Sequence, residues 1–167
     1  MLTPHGWLEV READDERDTR CVAAVLRRCY PQEAWTTQDV RRFADRAGNG
    51  VKVLALGDDG YPAGALLYRE AEDAVVIARV AVDRQFRRCR AAAYALRSLT
   101  GPTSPLRRGV YEARVHETNE AGIALMKRCG FAPAYVARGH FRDGMDAYVF
   151  RLHRSAPDRV RSSLAVA

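Results

Sequence analysis

Val80-Ala81-Val82-Asp83-Arg84-Gln85-Phe86-Arg87-Arg88-Cys89-Arg90-Ala91-Ala92 is the stretch on which the reading of this chain turns. Upstream of it, Ala74 to Val82 is a near-continuous apolar run, the pattern of a strand buried in the middle of a sheet. Downstream, Ala91 to Leu99 is helix-forming, and Thr100-Gly101-Pro102 closes the helix. The loop between them is rich in arginine. A helix start presents N–H groups with no intrahelical partner and about half a positive charge, so such a handover is suited to an anion. Arg79, Arg84, Arg87, Arg88, Arg90 and Arg97 all fall inside this region. Of the 27 basic side chains 25 are Arg, with only Lys52 and Lys127 as lysines. The total reads as composition bias; the local cluster is what points to phosphate.

Working outward, Trp7 to Arg11 alternates as a first strand, and Asp14-Asp15 opens a helix carrying Cys21, Val22, Val25, Leu26 and Cys29 on one face. Tyr30-Pro31 breaks it, and a second helix is expected from about Thr37 to Ala47, ended by Gly48-Asn49-Gly50. Val51 to Leu56 and Pro62 to Arg69 read as an antiparallel pair around the turn Gly57-Asp58-Asp59-Gly60. After the arginine loop and its helix come a strand at Val110 to Val115 and a helix at Asn119 to Arg128, ended by Gly130. Two last strands, about Ala134 to Gly139 and Met145 to Leu152, are joined at Arg142-Asp143-Gly144. This order predicts an α+β domain, an α/β/α sandwich built on one mixed sheet of about seven strands with about four helices. One domain over residues 1–154 is expected, followed by a frayed, polar and basic tail at 155–167.

At 167 residues and 47% hydrophobic, the chain suits one domain with a real core, which excludes fibrous and disordered classes. The apolar run Ala74 to Ala78 stops at Arg79, far short of the roughly 20 residues a bilayer needs, so no membrane partner is expected. Cys21, Cys29, Cys89 and Cys129 show neither C-x-x-C spacing nor a His at metal spacing, so no disulfide framework and no metal are expected. Reduced thiols, and an N-terminus without a cationic leader and apolar stretch, favour the cytoplasm. Nucleic-acid binding rests on charge alone, without a recognition helix or stacking platform, and is set aside.

Three motifs in order carry a resemblance. The opening stretch resembles the acyl-CoA motif of the GNAT N-acetyltransferase superfamily, a strand ending in Val, then an aromatic, then (Gln/Arg)-x-x-Gly-x-(Gly/Ala) opening a helix. Phe86, Arg87 and Ala92 match its aromatic, first and last positions. His116-Glu117-Thr118-Asn119-Glu120-Ala121-Gly122-Ile123-Ala124-Leu125-Met126-Lys127-Arg128-Cys129-Gly130-Phe131 looks like the family's strand-Asn-x-x-Ala-x-x-Leu-Tyr-x-x-x-Gly-Phe element. Phe141-Arg142-Asp143-Gly144-Met145-Asp146-Ala147 is similar to the hairpin of the branch that acetylates the N-terminal alanine of a ribosomal protein. Tyr30-Pro31 to Trp35 resembles that branch's first interhelical loop, and the likeness spans about residues 7 to 152.

The resemblance implies acetyl-CoA as acyl donor, with Val80 and Val82 pairing with pantetheine and Arg87, Arg88, Cys89, Arg90, Ala91 and Ala92 forming the pyrophosphate cradle. It also implies that Asn119 caps the last helix and reaches the cofactor. The chain departs from the pattern at three places. Arg90 replaces a Gly that lets phosphate approach the backbone. Met126 replaces a Tyr that protonates the leaving thiolate, which a thioether cannot do. The usual carboxylate base falls on Arg114, and its other frequent position near Val76. By the strand period, Glu112, Arg114 and His116 share one face, which makes Glu112 and His116 the candidate catalytic pair. Arg79 and Arg114 would suit an acceptor bearing a carboxylate or phosphate, and His140 and Phe141 stand where the branch has paired tyrosines. The expected function is direct acetyl transfer to a primary amine, of a peptide N-terminus or a small molecule. The alternative is a catalytically impaired GNAT-fold ligand-binding or interaction module. A homodimer is left open by the sequence.

Overall fold

The computed structural model describes residues 1–57, 60–104, 106 and 109–154. Eight strands and four helices succeed one another: β1 (Leu2–Thr3), β2 (Gly6–Glu12), α1 (Glu16–Cys29), α2 (Thr37–Ala44), β3 (Asn49–Leu56), β4 (Tyr61–Glu70), β5 (Val75–Val82), α3 (Ala91–Thr100), β6 (Val110–His116), α4 (Glu120–Arg128), β7 (Ala132–Ala137) and β8 (Ala147–His153). Single 3-10 turns at Pro31–Glu33 and Arg84–Phe86 lie between α1 and α2 and between β5 and α3. The sheet runs β1-β2-β3-β4-β5-β6-β8-β7, with β5 and β6 parallel and every other neighbour antiparallel. The α+β mixed sheet is as expected, and β1 adds an eighth strand that two residues gave no period to reveal. Helix α2 stops at Ala44 rather than Ala47, because Asn49 already belongs to β3 and its side chain donates to Phe43 O at 2.7 Å. Asp58 and Asp59 of the expected turn, and the expected tail, lie outside the described residues.

Alternation along the strands feeds two apolar layers. Leu54, Leu66, Val75, Tyr111 and Phe150 pack with α3 and α4 on one face. Val53, Leu67 and Ala81 pack with Val22, Val25 and Leu26 of α1 on the other. Asp18 joins this second layer to the edge of the sheet: it is buried, and Arg11 holds both of its oxygens, with Nη2 to Oδ1 at 2.9 Å. The hydrogen bonds from Arg11 outweigh burial and hold the Asp18 carboxyl below the usual carboxylate range. A folded-state value below the unfolded one stabilises the fold above about pH 4, and that stability is lost as pH falls through the folded value. Urea midpoints of the wild type should therefore fall on acidification below about pH 4, and D18N should flatten that part of the curve.

Candidate active site

The site begins where β5 and β6 part. Their pairing is confined to Val75 with Tyr111, Val76 with Glu112 and Ile77 with Ala113. At the same point the β4–β5 register steps from Tyr68↔Ile77 to Leu67↔Arg79, leaving Ala78 as an extra residue. Such a bulge bends a strand and re-aims the residues beyond it. Asp83 N–H donates to Ala63 O at 2.9 Å, so by antiparallel alternation Asp83, Ala81 and Arg79 turn their peptide groups to β4. Val80 and Val82 turn theirs to the open edge. Two side chains confirm this direction: Tyr30 Oη donates to Val80 O at 2.8 Å, and Arg87 Nε to Val82 O at 3.1 Å. Burial, partly offset by the Arg79 charge, pushes the Tyr30 hydroxyl up to about 12, so it keeps its proton at working pH.

The open edge runs into the N-terminus of α3. Asp15, Thr36 and Asn119 cap α1, α2 and α4 with their side chains, whereas Arg90, at the N-cap of α3, makes no such bond. The first helical bond here is Tyr94 N–H to Arg90 O at 2.9 Å, so the N–H groups of Ala91, Ala92 and Ala93 have no intrahelical partner. Arg84, Arg88 and Arg90 surround this helix start with exposed side chains. Cys89 Sγ is 2.8 Å from Phe86 O and takes part in the loop's own bonding. Arg88 and Arg90 both adopt φ of 65°, the left-handed conformation that glycine takes without strain. Arg90 thus holds a backbone conformation that favours glycine, and its side chain is exposed. R90G should therefore raise stability by up to about 1 kcal/mol, read by urea titration, because glycine adopts this conformation without strain. An unchanged urea midpoint would show that the left-handed conformation costs arginine nothing here.

Beyond the bulge, β5 and β6 enclose a cleft of about 1010 Å³. Of the residues singled out from the sequence, Arg79, Val80, Arg114, His116, Asn119, His140 and Phe141 line it together. Met126, though largely buried, also lines it, and Val82 and the arginine loop follow on from its β5 edge. Arg79 is not a free cation: its Nε and Nη2 hold Glu33 at 2.9–3.0 Å, above the Tyr30 ring. Glu112, expected as a catalytic residue, is buried and does not line the cleft. One oxygen accepts from Arg114 at 3.1–3.2 Å and the other from Arg151 at 2.9–3.0 Å. With both oxygens committed, Glu112 anchors Arg114, and two guanidinium groups share one buried carboxylate. His116 does reach the cleft, between Asp143 and Thr118 and against the Phe141 ring at 4.8 Å.

Sequence reasoning overlooked Tyr30, Glu33, Thr118 and Asp143 as site residues. All four fall inside stretches that carry the family resemblance, but none of them matches a position to which the resemblance gives a role. Among the described residues no group of His, Cys, Asp and Glu is placed to hold a metal, and no helix is long and apolar enough to cross a membrane.

Residues 20–131 fit the model of the acetyltransferase (GNAT) family. The chain belongs to the GNAT acetyltransferase family. Its GNAT fold is shared with the ribosomal-protein-S18-alanine N-acetyltransferase of Escherichia coli, at 18% identity over 92% of this chain and 99% of that one, with a TM-score of 0.75. It is shared equally with NAA60 of Arabidopsis thaliana, solved with a bisubstrate analogue, at 15% identity, 90% and 100% coverage and a TM-score of 0.75. Ard1 of Thermoplasma volcanium aligns at 18% identity over 87% and 97%, with a TM-score of 0.72. No curated protein matches the chain in sequence. The GNAT model ends at Phe131, so the loop that brings His140, Phe141 and Asp143 into the cleft lies outside the matched segment.

Proposed function

We propose that this GNAT acetyltransferase moves an acetyl group from acetyl-CoA directly to a primary amine, of a peptide N-terminus or a small molecule. The observation that carries the reading is the continuous track from the open β5 edge at Val80 and Val82 to the uncapped start of α3. Acetyl-CoA would supply the activated acyl group as a thioester. Val80 and Val82 would pair their peptide groups with pantetheine amides, taking the place of Tyr30 and Arg87 on the two carbonyls. The backbone from Arg87 through Arg88, Cys89, Arg90 and Ala91 to Ala92 would cradle pyrophosphate, with the exposed guanidinium groups around it. Asn119 caps α4 and borders the cleft from the other side.

On the acceptor side, Arg114 has the stronger claim to a carboxylate or phosphate, because Arg79 is already neutralised by Glu33. His140 and Phe141 would form the rim, and His116 would be the base on which a proton from the amine side ends. The compartment that goes with four free thiols is the cytoplasm.

Melting temperature under acetyl-CoA titration tests the donor, and thiol release over a panel of amines and peptides tests transfer. The reading expects a rise of several degrees and release that depends on the amine. No shift at millimolar acetyl-CoA would sink it. A shift without thiol release on any amine would favour a ligand-binding module instead, the outcome that Arg90, Arg114 and Met126 in place of the usual residues would then explain.

A further inference from the structure

We propose that Thr118, His116 and Asp143 form a proton relay in which the Thr118 hydroxyl takes a proton from the acceptor ammonium and passes its own to His116. The inference rests on the amine-transfer reading above and assigns two residues that reading leaves without a role. Thr118 N–H donates to His116 Nδ1 at 3.2 Å. A peptide N–H can only donate, so in the neutral ring Nδ1 is the bare nitrogen and Nε2 carries the hydrogen. That hydrogen points at Asp143 Oδ2, 3.0 Å away. Thr118 Oγ1 lies 2.9 Å from the same Nδ1, so its hydroxyl hydrogen is donated there and its lone pairs are left for another donor. Both residues line the cleft, and Thr118 is exposed.

The order Asp, His, hydroxyl is that of a proton-transfer triad, with the two ring nitrogens exchanged. Its outer members are fixed independently. Asp143 Oδ1 accepts Met145 N–H at 3.1 Å, so its own turn orients the carboxylate. The hydrogen bond from His116, then that from Met145, holds the Asp143 carboxyl below its ordinary range, so it is charged at neutral pH. Phe141 sets the ring plane from one side. Of the other acid–base groups that line the cleft, Glu33 is held by Arg79 and by Trp35 Nε1 and Asp39 by Thr36, while His140 meets the Phe141 ring edge-on and stands apart from this chain of hydrogen bonds.

The step balances without a further reactant. An acceptor arriving as an ammonium ion gives one proton to Thr118 Oγ1 while the hydroxyl proton moves to His116 Nδ1. The acceptor becomes a neutral amine with a free lone pair, and the ring becomes an imidazolium bonded to Asp143 and Thr118. In that state Thr118 N–H loses its acceptor, a cost that the Asp143 charge offsets. The ring, 24% exposed, then returns its proton to solvent. Thr118 is the catalytic residue of the set, and Asp143 is a positioning residue that acts through the imidazole.

Steady-state kinetics of T118V, T118S and D143N, with nitrogen NMR of the His116 ring, provide the test. T118V should lower kcat about 10- to 100-fold with KM for both substrates unchanged, and T118S should recover kcat to within about threefold. D143N should lower kcat about tenfold, and its ring should lose the single Nε2–H form that the wild type shows at neutral charge. T118V at wild-type kcat, T118S as slow as T118V, or a wild-type ring protonated at Nδ1 would each overturn the relay. Wild-type protein that releases no thiol with any amine would overturn the transfer reading itself, which keeps the two failures apart.

Discussion

The double variant R88E/R90E should bind CoA about 100-fold or more weakly than the wild type, measured calorimetrically at low salt. Each guanidinium–phosphate hydrogen bond contributes about 1.5–3 kcal/mol, and reversal adds repulsion to the loss, so two positions reach that factor. Both side chains are exposed, so rising ionic strength should shrink the difference. Stability should move little. Both residues sit at φ of 65°, and glutamate tolerates that conformation no better and no worse than arginine. A change below threefold would show that the unpaired guanidinium groups of the α3 start meet solvent rather than phosphate. The open β5 edge would then have to account for the whole of cofactor binding.

G64V should be the most damaging single substitution to the fold near the site, costing about 3 kcal/mol or more and lowering the melting temperature by about 6–12 °C for a chain of this size. A Cβ at Gly64 would stand 2.6 Å from Ala81 O and 2.9 Å from Leu54 Cδ2. The oxygen is backbone in the middle of the sheet and cannot turn away. Gly64 pairs with Val82, so the same push would reach the end of the cofactor edge. Residual folded G64V is therefore expected to lose acetyl-CoA binding as well as stability. A melting temperature within about 2 °C of wild type would mean that β4 and β5 can separate at low cost, against the close pairing of the two strands.

Most elements were legible because their periods are local. The apolar run into β5, the acidic start of α1, and Gly101 after α3 each act over a few residues. Strand β1 escaped because Leu2 and Thr3 are too few for a pattern, and it exists only because β2 lies opposite. For the candidate site, the end of β5 and the arginine loop could be read from residues that are neighbours in sequence. The acceptor side could not. Glu112 and His116 share a strand face with Arg114, yet one faces guanidinium groups and the other the cleft. What separates them is Arg151, 39 residues on, which the β6–β8 register sets directly opposite Glu112.

By itself the sequence determined the α+β class, the strand–loop–helix handover, and a cluster of cations at a helix start. It did so because hydrophobic period, helix punctuation and residue charge are properties of short segments. Only the tertiary structure decided which of these charges are paired and which are left exposed. The neutralisation of Arg79 by Glu33 and the capture of Glu112 by two arginines depend on contacts between separated segments. So does the meeting of His116 with Asp143, 27 residues away. A side chain's chemistry at a site is set by what its neighbours leave unpaired, and those neighbours are chosen by strand register and by loops that fold back, which local pattern does not encode.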